Sequence, residues 1–322
     1  MNSVTKNHQT EETIRAMTEK ALGNKVGSFS CSCLSGGFCS AVYLVNADEQ
    51  RLVLKVASDD AVKVMRHEKR YVSIEAEMLS ILNEKTDIPM PKLIAYDDSR
   101  SVCSVPYFFM TFIDGTPLSQ TTDLSESEYR SIKREVGVIT RKICDIPAEH
   151  FGIPQMPETF TDKNSQFTLT LFDMLLTDAN EKKIPIPSIS PDRLMSLIGG
   201  CKEALDADVT PCLAHTDTWA GNVMVKNGRL AGFVDFAAIL YGDKLISHDF
   251  HDFGDNPTVD FLEGFGASQF SAEEKIRIQI YKIWQRLGMI VERGYREYTD
   301  PNMYGWVLGE FTNAVNELVL ML

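Results

Sequence analysis

The stretch Leu213–Phe236, LAHTDTWAGNVMVKNGRLAGFVDF, limits the architecture of this chain more than any other. Two short apolar runs, Val223–Val225 and Leu230–Val234, are joined through Lys226, Asn227, Gly228 and Arg229. Asn-Gly accepts the positive φ that both central positions of a type I′ turn require, so the pair marks a two-residue hairpin. Such a turn pairs Lys226 with Arg229. An unbroken ladder then sets Asn222 opposite Phe233. Side chains alternate along a strand, and directly opposed residues share a face. Asn222 and Asp235 are therefore expected on one side of the hairpin's open end, with Asp217 just before it.

That grouping suits a particular chemistry. Mg²⁺ is a hard ion that takes one or two protein oxygens, keeps waters and shares nucleotide phosphates. Asn222 and Asp235 can supply those oxygens, and Asp217 stands where it can accept a proton from an attacking hydroxyl. Each residue alone also fits a plainer role: His215 a satisfied core histidine, each Asp a residue that only solvates a hairpin. The joint spacing H-x-D-x-x-x-x-N followed by Asp235 favours the metal site.

Earlier in the chain, Phe29, Cys31 and Cys33 alternate with serines, then Leu34-Ser35-Gly36-Gly37-Phe38-Cys39-Ser40 intervenes before two further apolar runs, Val42–Val45 and Leu52–Val56. Three antiparallel strands with a Gly-Gly turn between the first two account for this text. Glycines also let backbone amides approach phosphate oxygens. Lys55 interrupts its strand, and a charge there is costly unless paired; an edge lysine reaching for water reads the same way. A helix is expected from about Asp60 to Glu84, with Tyr71, Ile74, Met78 and Ile81 as its apolar stripe. Glu75 and Glu77 are both candidate partners for Lys55. Lys92–Tyr96 and Pro106–Phe112 read as two more strands.

The motif stretch resembles the catalytic and metal loops of protein-kinase-like phosphotransferases, whose signature is H-R-D-L-x-x-x-N followed by D-F-G; here the text is HTDTWAGN and then DFA. It is more similar to the aminoglycoside phosphotransferase and small-molecule kinase family, with its HGDLHPGN…IDW…GDP pattern. Thr216, Thr218-Trp219-Ala220 and Lys244 depart from that pattern without removing a ligand, and Trp219 stands where it could reshape an acceptor pocket. The resemblance runs from about Ser35 to Asp249. It implies an α+β, two-lobed protein-kinase-like fold that binds ATP (or GTP) with Mg²⁺. Gly36, Gly37 and Ser40, beside Cys39, would lie at the phosphates. Lys55 would hold phosphates as the V-A-I-K lysine does, and IEAEML, similar to REAxxL, selects Glu75 as its partner. Backbone groups of Thr111 and Ile113 would read the purine in the linker Met110–Ile113. Asn222 and Asp235 would carry the metal, Asp217 would be the base, and His215 would brace the loop. Asp249 matches a position whose role looks structural.

Residues 1–113 are expected to form a nucleotide-binding lobe and 114–322 a mainly helical lobe. Helices are expected at Thr10–Leu22, Ser125–Asp145 (a capping box with Glu128), Thr168–Asp178, Pro191–Leu205, Ala272–Arg293 and Tyr304–Leu322, with Met156–Asn164 a connection. The net charge of −13 argues against nucleic acid or an anionic membrane as a partner. No apolar run approaches a membrane span and no signal-peptide core is present. Seven cysteines without a C-x-x-C pair suit reduced thiols in a cytoplasm. Oligomeric state is not encoded legibly. The acidic run Asp249–Glu263, with Asp252, Asp255 and Asp260, fits either a solvated face or a pocket for a cationic acceptor. The first candidate acceptor is an aminoglycoside-like amino sugar. Choline-like alcohols, homoserine and sugar-derived metabolites are alternatives, and a non-catalytic nucleotide-binding module is the reading from another class.

Overall fold

The computed structural model describes residues 3–34, 39–251, 258–297 and 301–322. Gly36, Gly37, Asp252 and Asp255 lie outside the described residues. Helix α1 (Glu11–Leu22) starts on its cap Thr10 and ends at Gly23, whose φ of 73° gives a left-handed stop. Strands β1 (Phe29–Cys33), β2 (Ala41–Ala47), β3 (Gln50–Val56), β4 (Leu93–Asp97) and β5 (Tyr107–Thr111) form an antiparallel sheet in the order β1-β2-β3-β5-β4. Alternation divides its residues between two cores. Leu52, Leu54, Val56, Tyr107 and Phe109 pack with Ile14 and Met17 of α1, whereas Val53, Phe108 and Met110 face helix α2 (Tyr71–Lys85). Lys55 lies on the α2 face with Val53, and that parity brings it to Glu75.

Helix α2 begins at Tyr71, not near Asp60. The preceding segment holds only a 3₁₀ turn at Arg66–Glu68 and ends at Arg70, whose φ of 67° cannot extend a helix backwards. Arg66 explains the detour. Its amide donates to Asp178 Oδ2 at 2.9 Å, and its guanidinium pairs with Asp178 and Glu181. These acids belong to α4 (Asn164–Glu181), so distant contacts override helix propensity here.

The second half is mostly helical: α3 (Glu126–Cys144), α4, α5 (Pro191–Gly200), α6 (Lys202–Asp206), α7 (Val259–Phe265), α8 (Ala272–Arg296) and α9 (Pro301–Met321). Ser125 and Glu128 make the expected capping box on α3. The helix expected over Pro191–Leu205 is two, broken at Cys201. Met156–Thr161 is a strand, β8, paired with β7 (Phe151–Ile153), instead of a connection. The sheet runs β8-β7-β12-β9, with β9 at Cys212–His215 and β12 at Ile239–Gly242. A third sheet joins β6 (Thr116–Pro117) to the hairpin of β10 (Val223–Lys226) and β11 (Arg229–Phe233). Helices α3 and α7 cross at backbone distance: a Cβ on Gly137 would lie 2.1 Å from the Phe261 carbonyl oxygen, and one on Gly264 1.9 Å from that of Arg134. Among the described residues, no helix is long and apolar enough to cross a membrane.

Candidate active site

The hairpin turns where the sequence places it. Asn227 and Gly228 have φ of 52° and 71°, and Lys226 pairs with Arg229. The ladder is not continuous, however. The register shifts between Val225 and Met224, so Ala231 is bulged and Val223, not Asn222, stands opposite Phe233. The cause lies in a neighbouring loop. The Phe233 amide donates to the Pro89 carbonyl at 2.9 Å, and Gly232 backs so closely on that carbonyl that a Cβ would sit 2.9 Å from its oxygen. Asn222 consequently opposes Val234, whose amide donates to the Asn222 carbonyl at 3.0 Å. Strand alternation therefore does not bring Asn222 and Asp235 together. Asp235 itself has φ of 67°, and this left-handed residue turns the chain out of the strand.

Four groups assemble at that turn. Lys55 Nζ lies 2.6 Å from Glu75 Oε2 and 3.0 Å from Asp235 Oδ1. Glu75 Oε1 also accepts from the Phe236 amide at 3.3 Å, which ties α2 to the same turn. Glu77 is exposed and bonds Gln155 instead. Burial alone would lower the Lys55 ammonium, but Asp235 and then Glu75 outweigh it and hold it above its ordinary value. Burial pushes Glu75 up to about 7, with Lys55 pulling against it.

Asn222 Nδ2 donates to the Asp217 carbonyl at 2.8 Å and to Asp217 Oδ2 at 3.1 Å. Both bonds use the amide nitrogen, so Asn222 Oδ1 remains to accept. The Asp235 carboxylate likewise has more lone pairs than its bond to Lys55 uses. Asn222 Oδ1 and the Asp235 carboxylate are hard oxygen donors of the kind Mg²⁺ takes. Burial and then the neighbouring Asp235 charge raise Asp217 well above the usual carboxylate range. His215 is buried in β9, accepts from the Asp217 amide through Nδ1 at 3.1 Å and lies tilted against the Phe236 ring. Burial holds its imidazole down to about 4, hence neutral at pH 7.

The loop after Asp217 is fixed from below. Thr218 Oγ1 donates to Asp249 Oδ2 at 2.5 Å, and Lys133 of α3 pairs with Asp249 Oδ1 at 3.0 Å. Trp219 is exposed and covers Gly221, where a Cβ would lie 2.1 Å from the indole ring. In the linker, the Thr111 amide donates to the Lys92 carbonyl at 2.9 Å and is therefore not the group that would meet a purine.

The acidic run does not form a pocket through its described members. Asp249 is committed to Lys133 and Thr218, Asp260 to Arg130 and Arg134, and Glu263 to Arg134, so these acids fasten the chain to α3. A second charged cluster lies at the end of α8. Arg296 of α8 pairs with Glu68 at 2.5 Å and Glu292 at 2.8 Å, and Cys39 Sγ donates to the same Glu68 oxygen at 3.4 Å. Sequence reasoning missed these residues. Glu68 sits in an irregular segment, and Arg296 is a basic residue in a last helical turn, where bases are ordinary. A cavity of about 1190 Å³ opens beside them, with Cys39, Ser40, Glu68, Tyr71, Asp178 and Tyr295 in its wall; Asp217, Asn222 and Asp235 do not line it.

Residues 30–276 match the family model of the APH phosphotransferase enzyme family. The chain belongs to that family. No curated protein sequence matches it. Among solved structures, a candidate fructosamine-3-kinase from Haemophilus somnus 129PT is similar with a TM-score of 0.71 at 13% identity, over 95% of this chain and 97% of that one. The streptomycin-ATP ternary complex of APH(2″)-IIa gives 0.59 at 19% identity, over 98% and 97%. A thermostable mutant of APH(4)-Ia with AMP-PNP and hygromycin B gives 0.64 at 16%, over 94% and 98%. At such identities the likeness is one of fold. This APH-family chain is thus a nucleotide-binding phosphotransferase with a protein-kinase-like α+β fold, acting on hydroxyl groups of small molecules.

Proposed function

We propose that the protein moves the γ-phosphate of ATP, with GTP as the alternative, to a hydroxyl of a small molecule that also carries an amine. The convergence of Asp217, Asn222, Asp235 and the Lys55–Glu75 pair carries this reading. Residues 1–113 and 114–322 form its two lobes, and the nucleotide sits between them. Lys55, steadied by Glu75, holds phosphates; the Thr111 carbonyl and Ile113 amide take the purine edge. Gly36, Gly37 and Ser40 cover the phosphates. Asn222 and Asp235 would hold Mg²⁺, which when bound offsets phosphate charge. Asp217 orients the acceptor hydroxyl and takes its proton, and neutral His215 braces the loop. Phosphoryl transfer asks little covalent work of the protein, so positioning and charge stabilisation supply most of the rate.

An aminoglycoside-like amino sugar remains the first candidate acceptor. The names of the similar structures point to aminoglycosides and to fructosamines, and both classes join hydroxyls to an amine. The cavity beside Cys39 and Tyr71 exceeds the roughly 300–1,000 Å³ that small ligands ordinarily fill. The free state of all seven cysteines supports a reducing cytoplasm as the place of action. A mass-resolved screen of hydroxyl compounds with Mg-ATP tests the reading. Phosphorylated amino sugars or amino-ketoses are expected, and a preference for neutral sugars over every amine overturns the acceptor class.

A further inference from the structure

Arg296 has no part in the roles assigned so far, yet it is a buried arginine at the centre of a charged cluster. It is the last residue of α8 and only 8% exposed. Taking a guanidinium out of water costs several kcal/mol unless carboxylates surround it. Glu68 and Glu292 do so, each taking a different terminal nitrogen, Nη2 and Nη1. A basic residue at a helix end is usually turned to solvent, where the last carbonyls favour it. Here the guanidinium is turned inward and its plane is fixed from two sides.

Its surroundings locate it. Cys39 closes the loop expected to cover the phosphates, and Ser58 Oγ holds the Cys39 carbonyl at 3.2 Å. Cys39 Sγ and Arg296 Nη2 meet on a single oxygen, Glu68 Oε1. The guanidinium is therefore a near neighbour of the phosphate-loop end. It is also close enough to Asp217 that its charge acts on that carboxyl. Lys55 is thus held by Glu75 and Asp235, and Arg296 by Glu68 and Glu292 next to Cys39.

Resting on the phosphotransferase reading above, we propose that Arg296 is a catalytic residue that donates N–H groups to the transferred phosphoryl in the transition state. In that step the acceptor oxygen bonds to the γ-phosphorus as the bond from that phosphorus to the β,γ-bridging oxygen breaks. ADP leaves with the electron pair, and the acceptor proton passes to Asp217. Charge accumulates on the three equatorial oxygens, where a planar, permanently charged fork is most effective. Glu68 and Glu292 orient the fork beforehand, so no reorganisation is needed when the charge appears.

The test uses the full chain with Mg-ATP and follows phosphate release to water as well as transfer to gentamicin and 1-amino-1-deoxyfructose. Arg296→Ala is expected to lower kcat by roughly 10²–10³-fold while the ATP Kd stays within about threefold. Free guanidinium in solution should restore the rate of Arg296→Ala by about tenfold, and Arg296→Lys should fall between the two, since an ammonium keeps the charge without the fork. Gln279→Ala, which removes a buried hydrogen bond from α8 to the Ala314 carbonyl, gives the kcat change that lost stability alone produces. Near-normal kcat in Arg296→Ala overturns the proposal. So does a loss that matches Gln279→Ala at equal Tm and is unmoved by guanidinium. Wild-type protein that binds ATP but is insensitive to Arg296→Ala removes Arg296 only. Wild-type protein that releases no phosphate to water or either probe removes the phosphotransferase reading and this role with it.

Discussion

Lys55 and Asp235, 180 residues apart, are joined by an ion pair of 3.0 Å. The lysine thus occupies part of the carboxylate that would carry the metal, and the two groups should be separable by experiment. Asp235→Ala is expected to abolish the Mg²⁺-dependent gain in ATP affinity, whereas Lys55→Ala weakens ATP binding with or without the ion. Calorimetric titration in Mg²⁺ and in chelator checks this; identical profiles for the two variants would contradict the division of roles.

Glu75 is the other end of the same contact, with its side chain 2% exposed. Removing one partner of a buried pair typically costs about 3–5 kcal/mol. Because Asp235 still faces Lys55, Glu75→Ala should lose about 3 kcal/mol of unfolding free energy, the lower end of that range. Urea denaturation measures it. A change under about 0.5 kcal/mol, the size of an exposed pair, would place Glu75 outside the network.

Asp217→Asn keeps a similar shape but cannot take a proton. Turnover is expected to fall roughly 10²–10⁴-fold with ATP affinity nearly intact. Steady-state rates beside a nucleotide thermal shift check both halves, and normal kcat would remove Asp217 from the mechanism.

Trp219 and Gly221 form a local lock. A methyl at position 221 would meet the indole 2.1 Å away, so Gly221→Ala must displace the ring. Both Gly221→Ala and Trp219→Ala should raise the acceptor KM by about tenfold, equivalent to about 1.4 kcal/mol, and leave the ATP KM unchanged. An acceptor KM unaffected in both variants would return Trp219 to the surface.

His251 is buried, with Nε2 2.9 Å from the Ile246 carbonyl oxygen. Burial, then the His248 charge, hold its pKa down to about 3. An unfolded histidine titrates near 6.5, so between these values the unfolded chain binds more protons. The stability contributed by neutral His251 is complete above about pH 6.5 and is lost as pH falls towards 3. The slope is up to about 1.4 kcal/mol per pH unit. Unfolding free energies from pH 7 to 4 should show it, and His251→Gln should flatten it. An equal slope in the variant would assign the acid lability elsewhere.

Local chemistry was readable in the sequence wherever a residue acts through its neighbours. Asn227-Gly228 specifies its turn because φ is a property of those two residues. Ser125 and Glu128 specify a capping box because both bonds span three positions. The sequence could not carry the bulge at Ala231, since its cause is the Pro89 carbonyl, more than a hundred residues away. The late start of α2 has the same origin in Asp178 and Glu181. Lys55 and Glu75 could be paired in advance because the text around Glu75 resembles the family's, which separates it from Glu77. Glu68 and Arg296, buried against each other from an irregular segment and a helix end, had no such pattern to announce them.

The crossing of α3 and α7 has a consequence for how this enzyme can change. Gly137 and Gly264 bring two backbones into direct contact, so no side-chain repacking can absorb a substitution at either position. A mutational scan should find both sites intolerant even of alanine, although neither touches the reaction centre. Lys133, four residues before Gly137 on α3, holds Asp249 and through it Thr218, next to Asp217. New acceptor preferences are thus expected to arise by exchanging residues around Trp219 and Tyr71. Drift in the α3–α7 frame is closed to selection.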